Sequence, residues 1–365
     1  MEQSTKGIKG IWTRHKRLIR TVAGLALAAA AFYLLIFTGE EGGEGAISLE
    51  KLKLILQHPG WVMLGILMVF LANTIAVPRW MILLRAQKIH MPFGEAFRLA
   101  YLGYFFNLVV PGGTGGDVVK AYYATKYTDK KAEAVTTVFL DRVIGLYALS
   151  ALAAAAILVN FNTLWNAQAK ILPVCGMELN QAQALVVVTL ALFVSGSIAF
   201  FVLFSGVLAK SATLVAIAKR MPFHNVIRKV HYALVIYKDH KFSVFVVFLM
   251  SAILQSCSVI AHWFFSRSLG ATSGEMNLAS FFFLVPIGLV INAIPIAPMG
   301  LGVGEGAFHL LFGLFKFAKG AMLVLLFHLA QFLTSLVGLA YFIAGKSEYR
   351  KIIEEAEDGG FEDVK

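Results

Sequence analysis

The stretch PGGTGGDVVK, residues 111–120, closes one apolar run and opens another, and it sets five glycines or prolines ahead of a single acid, Asp117. An altered copy, PMGLGVGEG, stands at residues 298–306 with Glu305 in the place of the acid. Each copy runs Pro, Gly-rich turn, acid, apolar segment, and each is preceded by an asparagine, Asn107 or Asn292. The two form an internal repeat. Paired segments broken by Gly and Pro in the two halves of an apolar chain are the sequence mark of a transport site built from discontinuous helices.

The rest of the chain supplies the membrane. Of 365 residues, 58% are hydrophobic and 15% charged, and the mean hydropathy is +0.74; soluble domains are about 45–50% apolar. Several uncharged runs reach the roughly 20 residues that a helix needs to cross a bilayer, with no alternating strand pattern of a barrel. The expected class is therefore an all-α polytopic membrane protein. The net charge of +11 does not point to nucleic acid, because the basic residues sit in short segments between apolar runs, where they set topology. Cys175 and Cys257 make no metal or redox spacing. His262, His309 and His328 are dispersed and read as packed or capped side chains, so neither a metal nor a cofactor is expected.

Charge asymmetry orders the spans. Residues 1–20 carry Lys6, Lys9, Arg14, Lys16, Arg17 and Arg20 and form a basic cytoplasmic terminus, followed by an uncleaved first span at 21–38. A second span, 60–77, ends in Pro78 and returns the chain to Arg79, Arg85, Lys88 and Arg98, with Arg79 read as a topology charge. Residues 95–128 hold the first broken segment. A re-entrant hairpin fits it best, since Lys120, Lys126, Lys130 and Lys131 follow on the cytoplasmic side. Spans at 132–159 and 184–204 flank an outer loop, and the basic segment 207–241 reads as an amphipathic helix on the inner leaflet. After a span at 242–265, the second broken segment, 277–318, is entered from outside. A span at 320–344 then leads to an acidic cytoplasmic tail, 346–365. This gives six full spans and two re-entrant hairpins, or eight spans if both hairpins cross, in an inverted-repeat arrangement forming one transmembrane domain over 21–345.

The chemistry concentrates at the repeats. Gly112, Gly113, Gly115 and Gly116 in the first copy, with Gly300, Gly302 and Gly304 in the second, free backbone N–H groups to face an anion, and each following helix offers its positive end. The same glycines also serve close helix packing. Asp117 is a good helix cap as well as a candidate ion carrier, whereas Glu305 is a poorer cap and closes a long uncharged stretch, which favours a proton or counter-ion role. Asp141 and Arg142 fall inside an apolar span. Arg142 lies about 16 Å along a helix entering near Lys131, where a charge costs roughly 2.5–3.5 kcal/mol. Arg142 is the expected fork onto a lipid phosphate, with Asp141 orienting a partner across the bundle; the other reading is a structural ion pair with Lys120 or Glu305. Lys120 shares the helix face of Asp117 and either adds charge for the same anion or snorkels to the interface. Asn107 and Asn292 complete the set of headgroup candidates.

VVPGGTGGDVVKA, FLDRVIGLYAL and PIAPMGLGVGEGAF resemble the three signature stretches of the flippase-like membrane region of lysylphosphatidylglycerol synthases, over about residues 46–345. In bifunctional members that region moves aminoacylated phosphatidylglycerol between leaflets while a soluble domain makes the lipid. The resemblance implies a stand-alone translocator in a bacterial or archaeal inner membrane that lacks the aminoacyl-transferase activity. Its substrate would be an anionic phospholipid or a polyprenyl-phosphate lipid, and a separate lipid-synthesising enzyme its partner. By position, the family pattern covers Gly112, Gly113, Gly115, Gly116, Asp117, Lys120, Asp141, Arg142, Gly300, Gly302, Gly304 and Glu305. The rival readings are a membrane-embedded lipid transferase and a small-ion channel or assembly partner.

Overall fold

A computed structural model describes residues 57–109, 115–165, 171–174, 177–205, 236–272, 276–293 and 302–344. Among the described residues the chain forms nine α-helices: α1 Pro59–Ala86, α2 Phe93–Val109, α3 Gly115–Thr125, α4 Lys131–Trp165, α5 Gln181–Ser205, α6 Lys241–Ser268, α7 Leu278–Asn292, α8 Val303–Gly313 and α9 Gly320–Ala344. Five of them, α1, α4, α5, α6 and α9, are long and apolar enough to cross a membrane, and they correspond to five of the six expected spans. The first span, the basic N-terminus, the segment 207–235 and the acidic tail lie outside the described residues, as do Gly112, Gly113 and Gly300. A two-stranded antiparallel hairpin, β1 Ile171–Val174 with β2 Met177–Asn180, lies between α4 and α5.

The two repeats are broken helices. In the first, α2 has 17 residues and α3 has 11; in the second, α7 has 15 and α8 has 11. Each member is shorter than the roughly 20 residues a span requires, and within each pair the two helices pack on one another. The halves then interlock. Helix α2 packs on α9 of the other half, α7 packs on α4, and α1 packs along α6. Exchanging α1 with α6, α2 with α7, α3 with α8 and α4 with α9 reproduces the same set of neighbours.

The α1–α6 contact is antiparallel, which makes the repeat an inverted one. Trp61, at the start of α1, meets Trp263 and Phe264 near the end of α6, and a side chain at Gly65 would collide with the Phe265 ring. In mid-helix Arg79 Nη1 donates to Ser251 Oγ at 2.9 Å. The end of α1 shares a buried cluster, through Leu83 and Ala86, with Val244 and Val247 at the start of α6. Burial ranks the helices by depth in the bundle. In α9, 61% of the most apolar window is buried inside the protein, and in α5 only 11%, so α9 is central and α5 is the lipid-facing helix outside the repeat.

Two local expectations are corrected. Helix α1 does not stop before Pro78 but continues through it to Ala86. A proline is tolerated inside a membrane helix; Pro78 frees the Thr74 carbonyl, and the neighbouring Asn73 carbonyl takes a bond from the Tyr104 hydroxyl of α2. Tyr237, expected on an amphipathic helix, lies in a 3-10 turn, Ile236–Lys238. It is fully buried and donates its hydroxyl to the Leu83 carbonyl at 2.9 Å. Burial pushes this phenol above its usual range, which keeps it a donor.

Candidate functional site

The break between α2 and α3 brings Asp117 and Lys120 against α4. Asp117 occupies the third position of α3, and Arg142 of α4 reaches it with two parallel bonds, Nε to Oδ2 at 2.8 Å and Nη2 to Oδ1 at 2.9 Å. Successive residues on a helix point about 100° apart, so Asp141 faces elsewhere. Its Oδ2 lies 2.8 Å from Arg79 Nη2 of α1, both side chains being 7% exposed. Arg79 therefore joins α1, α4 and α6 through Asp141 and Ser251. Lys120 Nζ lies 4.0 Å from the same Asp141 oxygen and 4.7 Å from the centre of the Trp80 ring. It is buried rather than snorkelling. The reading of Asp141 as the holder of a partner across the bundle fits this geometry, and the partner is Arg79. Arg142 differs from its neighbours in exposure: its side chain is 53% accessible, and that of Asp117 23%.

The approach of α2 to α3 depends on two glycines. Gly103 and Gly116 face each other so closely that a Cβ at Gly116 would overlap the Gly103 carbonyl. Asn107 Oδ1 accepts from the Gly116 N–H at 2.7 Å, which fixes the start of α3 one residue before the acid.

The second repeat builds a related arrangement with different chemistry. Gly302 precedes α8 at φ +84°, a left-handed conformation natural to glycine. Glu305, again the third residue of its helix, returns Oε2 to the Gly302 N–H at 2.6 Å, the acid half of a capping box. Glu305 thus caps its helix, against the expectation of a poor cap, because a glutamate at the third position reaches backward where one at the cap itself does not. Its other oxygen, Oε1, lies 3.1 Å from His328 Nδ1 of α9. Asn292, the last residue of α7, sits against Gly304 as Asn107 sits against Gly116; a Cβ at Gly304 would overlap Asn292 Oδ1.

In each half, then, the acid at the start of the second short helix pairs with a base on the spanning helix that follows: Asp117 with Arg142, 25 positions on, and Glu305 with His328, 23 positions on. Of the alternative reading, a structural ion pair with Lys120 or Glu305, the Lys120 half is present at Asp141, while Glu305 turns to His328 and Arg142 to Asp117. Two residues were missed. A span ending at Pro78 puts Arg79 at a helix end, whereas the structure carries it inside α1. The signal for His328 was its spacing from Glu305, which nearly repeats that of Arg142 from Asp117. Gly115, Gly116, Gly302 and Gly304 line the two helix starts, and among the described residues no group of three or more metal-ligating side chains occurs.

The fold and this pair of charged half-helix starts define a multi-pass, all-α membrane protein with its polar groups gathered inside the bundle. The chain belongs to the family described as "Lysylphosphatidylglycerol synthase TM region", whose model matches residues 21–338. Neither the curated proteins nor the solved structures contain a match. Membership supports a protein concerned with membrane phospholipids.

Proposed function

We propose that the chain translocates an anionic phospholipid between the leaflets of the cytoplasmic membrane, without making or breaking a covalent bond. The observation that carries this reading is a charge imbalance. Among the described residues, three cationic side chains, Arg79, Lys120 and Arg142, gather around two carboxylates, Asp117 and Asp141, a formal excess of one basic group. A charge at that depth is costly, and intramembrane ionisable groups mark substrate paths. A phosphodiester headgroup supplies the missing anion, and a guanidinium recognises it with two parallel bonds. Arg142, half exposed and held by Asp117, is the member an incoming phosphate reaches; Arg79 and Asp141 are sealed beneath it. Asp117 keeps the guanidinium oriented while no phosphate is bound and yields it when one arrives. The inverted halves then rock about the α1–α6 contact to open the other leaflet, the acyl chains staying in lipid.

Reconstitution into phosphatidylcholine liposomes holding a trace of acyl-labelled phosphatidylglycerol tests this. Wild type should speed leaflet exchange, and Arg142→Ala should lower the rate at least tenfold, the loss of about 1.4 kcal/mol or more of headgroup interaction. Wild type that speeds exchange of no anionic lipid, polyprenyl phosphates included, overturns the reading. The orientation, with both termini cytoplasmic, predicts that a cysteine at Thr128, between α3 and α4, reacts with an impermeant thiol reagent only from the cytoplasmic side. Reaction from outside would require the first broken pair to cross.

A further inference from the structure

The two acid–base pairs occupy equivalent places in the repeat, yet only one of them can exchange a proton. A guanidinium stays charged under all physiological conditions, so the Asp117–Arg142 pair is fixed. Imidazole is the side chain that gains and loses a proton across the physiological range. His328 is 2% exposed and Glu305 12%. A neutral His328 that donates Nδ1–H to Glu305 leaves Nε2 as a base, and this atom is buried and has no hydrogen-bond partner among the described residues.

The charges of the interior then sum in an informative way. The first cluster carries a surplus of one positive charge; Glu305 beside a neutral His328 carries one negative charge. By formal charge, the two clusters of described residues cancel when no substrate is bound. A bound phosphodiester would leave their sum one charge negative, and a proton on His328 Nε2 would return it to zero. Since uncompensated charge within the bundle is expensive, the anion and the proton should be taken up together. We propose that His328, held by Glu305, is the binding site for a coupling proton, taken up with each lipid monoanion and released with it on the other side, so that transport is electroneutral symport. This rests on the reading of the Arg142 cluster as the headgroup site.

His262 also has a buried Nε2 without a hydrogen-bond partner among the described residues, and what sets His328 apart is the Glu305 carboxylate on its Nδ1. The titratable groups facing the pair are Glu305 from α8, His328 from α9 and His262 from α6. His262 bonds the Ser258 carbonyl through Nδ1 at 2.7 Å and is stacked between Phe308 and Phe327, within electrostatic reach of His328. From the other helices packed on α9 come uncharged contacts, Asn73 of α1 to Thr334 at 3.0 Å and the Tyr101 carbonyl of α2 to Gly338, and α7 brings Asn292.

Liposomes with trace acyl-labelled phosphatidylglycerol and a pH difference of about one unit provide the test. One proton per lipid should drive the label toward a leaflet ratio of about ten in wild type. His328→Gln should exchange the lipid more slowly and leave the ratio at one, while His262→Gln should keep the gradient response. A ratio of one in translocating wild type, or a tenfold ratio in His328→Gln, overturns the inference and leaves the proposed function standing. A readout independent of translocation is proton uptake from dilute buffer when phosphatidylglycerol is added to purified protein in detergent. The expectation is one proton per chain in wild type and none in His328→Gln or, should that variant not fold, in Glu305→Gln. No uptake by wild type also overturns the inference.

Discussion

Arg79→Ala should be the most destabilising single substitution among the charged residues, costing about 3–5 kcal/mol, the range for removing one partner of a buried ion pair. Asp141 would be left at 7% exposure with only Lys120, 4.0 Å away, to oppose it. The tie from α1 to Ser251 on α6 would go as well. The partial relief from Lys120 places the expected loss toward the lower end of the range. Asp141→Asn should cost a similar amount, since it leaves Arg79 with its hydrogen bond to Ser251 and no carboxylate. The double substitution Arg79→Ala, Asp141→Asn should be less destabilising than the sum of the two, because most of each single loss is the stranded charge. Arg142→Ala provides the contrast: with a side chain 53% exposed, against 7% for Arg79, it should cost less stability than Arg79→Ala while removing transport. Thermal unfolding in detergent reads all four variants. An Arg79→Ala midpoint equal to wild type would mean that the pair is solvated, and the charge count behind the proposed function would lose its basis.

This contrast also shows where the sequence was legible. Helix α9 could be bounded at residues 320 and 344 from the sequence, and the structure places it at Gly320–Ala344, because an uncharged apolar run between polar flanks has one solution in a bilayer. Both broken pairs were legible for the related reason that glycines and prolines interrupt runs too short to cross twice. Arg79 was not. Whether a helix stops at a proline depends on the packing around it, and the largely buried run from Val77 to Leu84 is held by other helices of the bundle. Partner choice was likewise hidden. Asp141 and Arg142 are adjacent in the chain but turn to different helices, Asp141 to α1 and Arg142 to α3, and a one-dimensional pattern fixes the angle between them without saying what lies in either direction. His328 was passed over because a lone histidine in an apolar run is usually a packed one; its meaning comes from Glu305 arriving opposite it once the second repeat is folded.

Gly116→Ala should separate the two halves of the first repeat and abolish transport. Two effects compete. In a helix, alanine is favoured over glycine by about 1 kcal/mol, so an exposed site would gain stability. At Gly116, however, the added methyl overlaps the Gly103 carbonyl, its carbon and its Cα, and a backbone cannot swing aside as a side chain can. Overpacking of this kind costs typically 1–3 kcal/mol, and the shift also strains the 2.7 Å bond from Gly116 to Asn107. The clash outweighs the propensity, leaving a net loss of about 1–2 kcal/mol. The functional loss should be larger than that figure suggests, because Asp117 and Lys120 ride on the helix that must move. Gly304→Ala is the matched control in the second repeat. There the added methyl meets the Asn292 side chain, which can rotate, so stability should fall by less than in Gly116→Ala and part of the exchange activity should survive. Leaflet exchange and unfolding midpoints of the two variants, compared in the same detergent and lipid, decide the matter. Equal damage in both would show that the side chain of Asn292 is as immovable as the backbone of Gly103, and that the two repeats are held by equally rigid contacts.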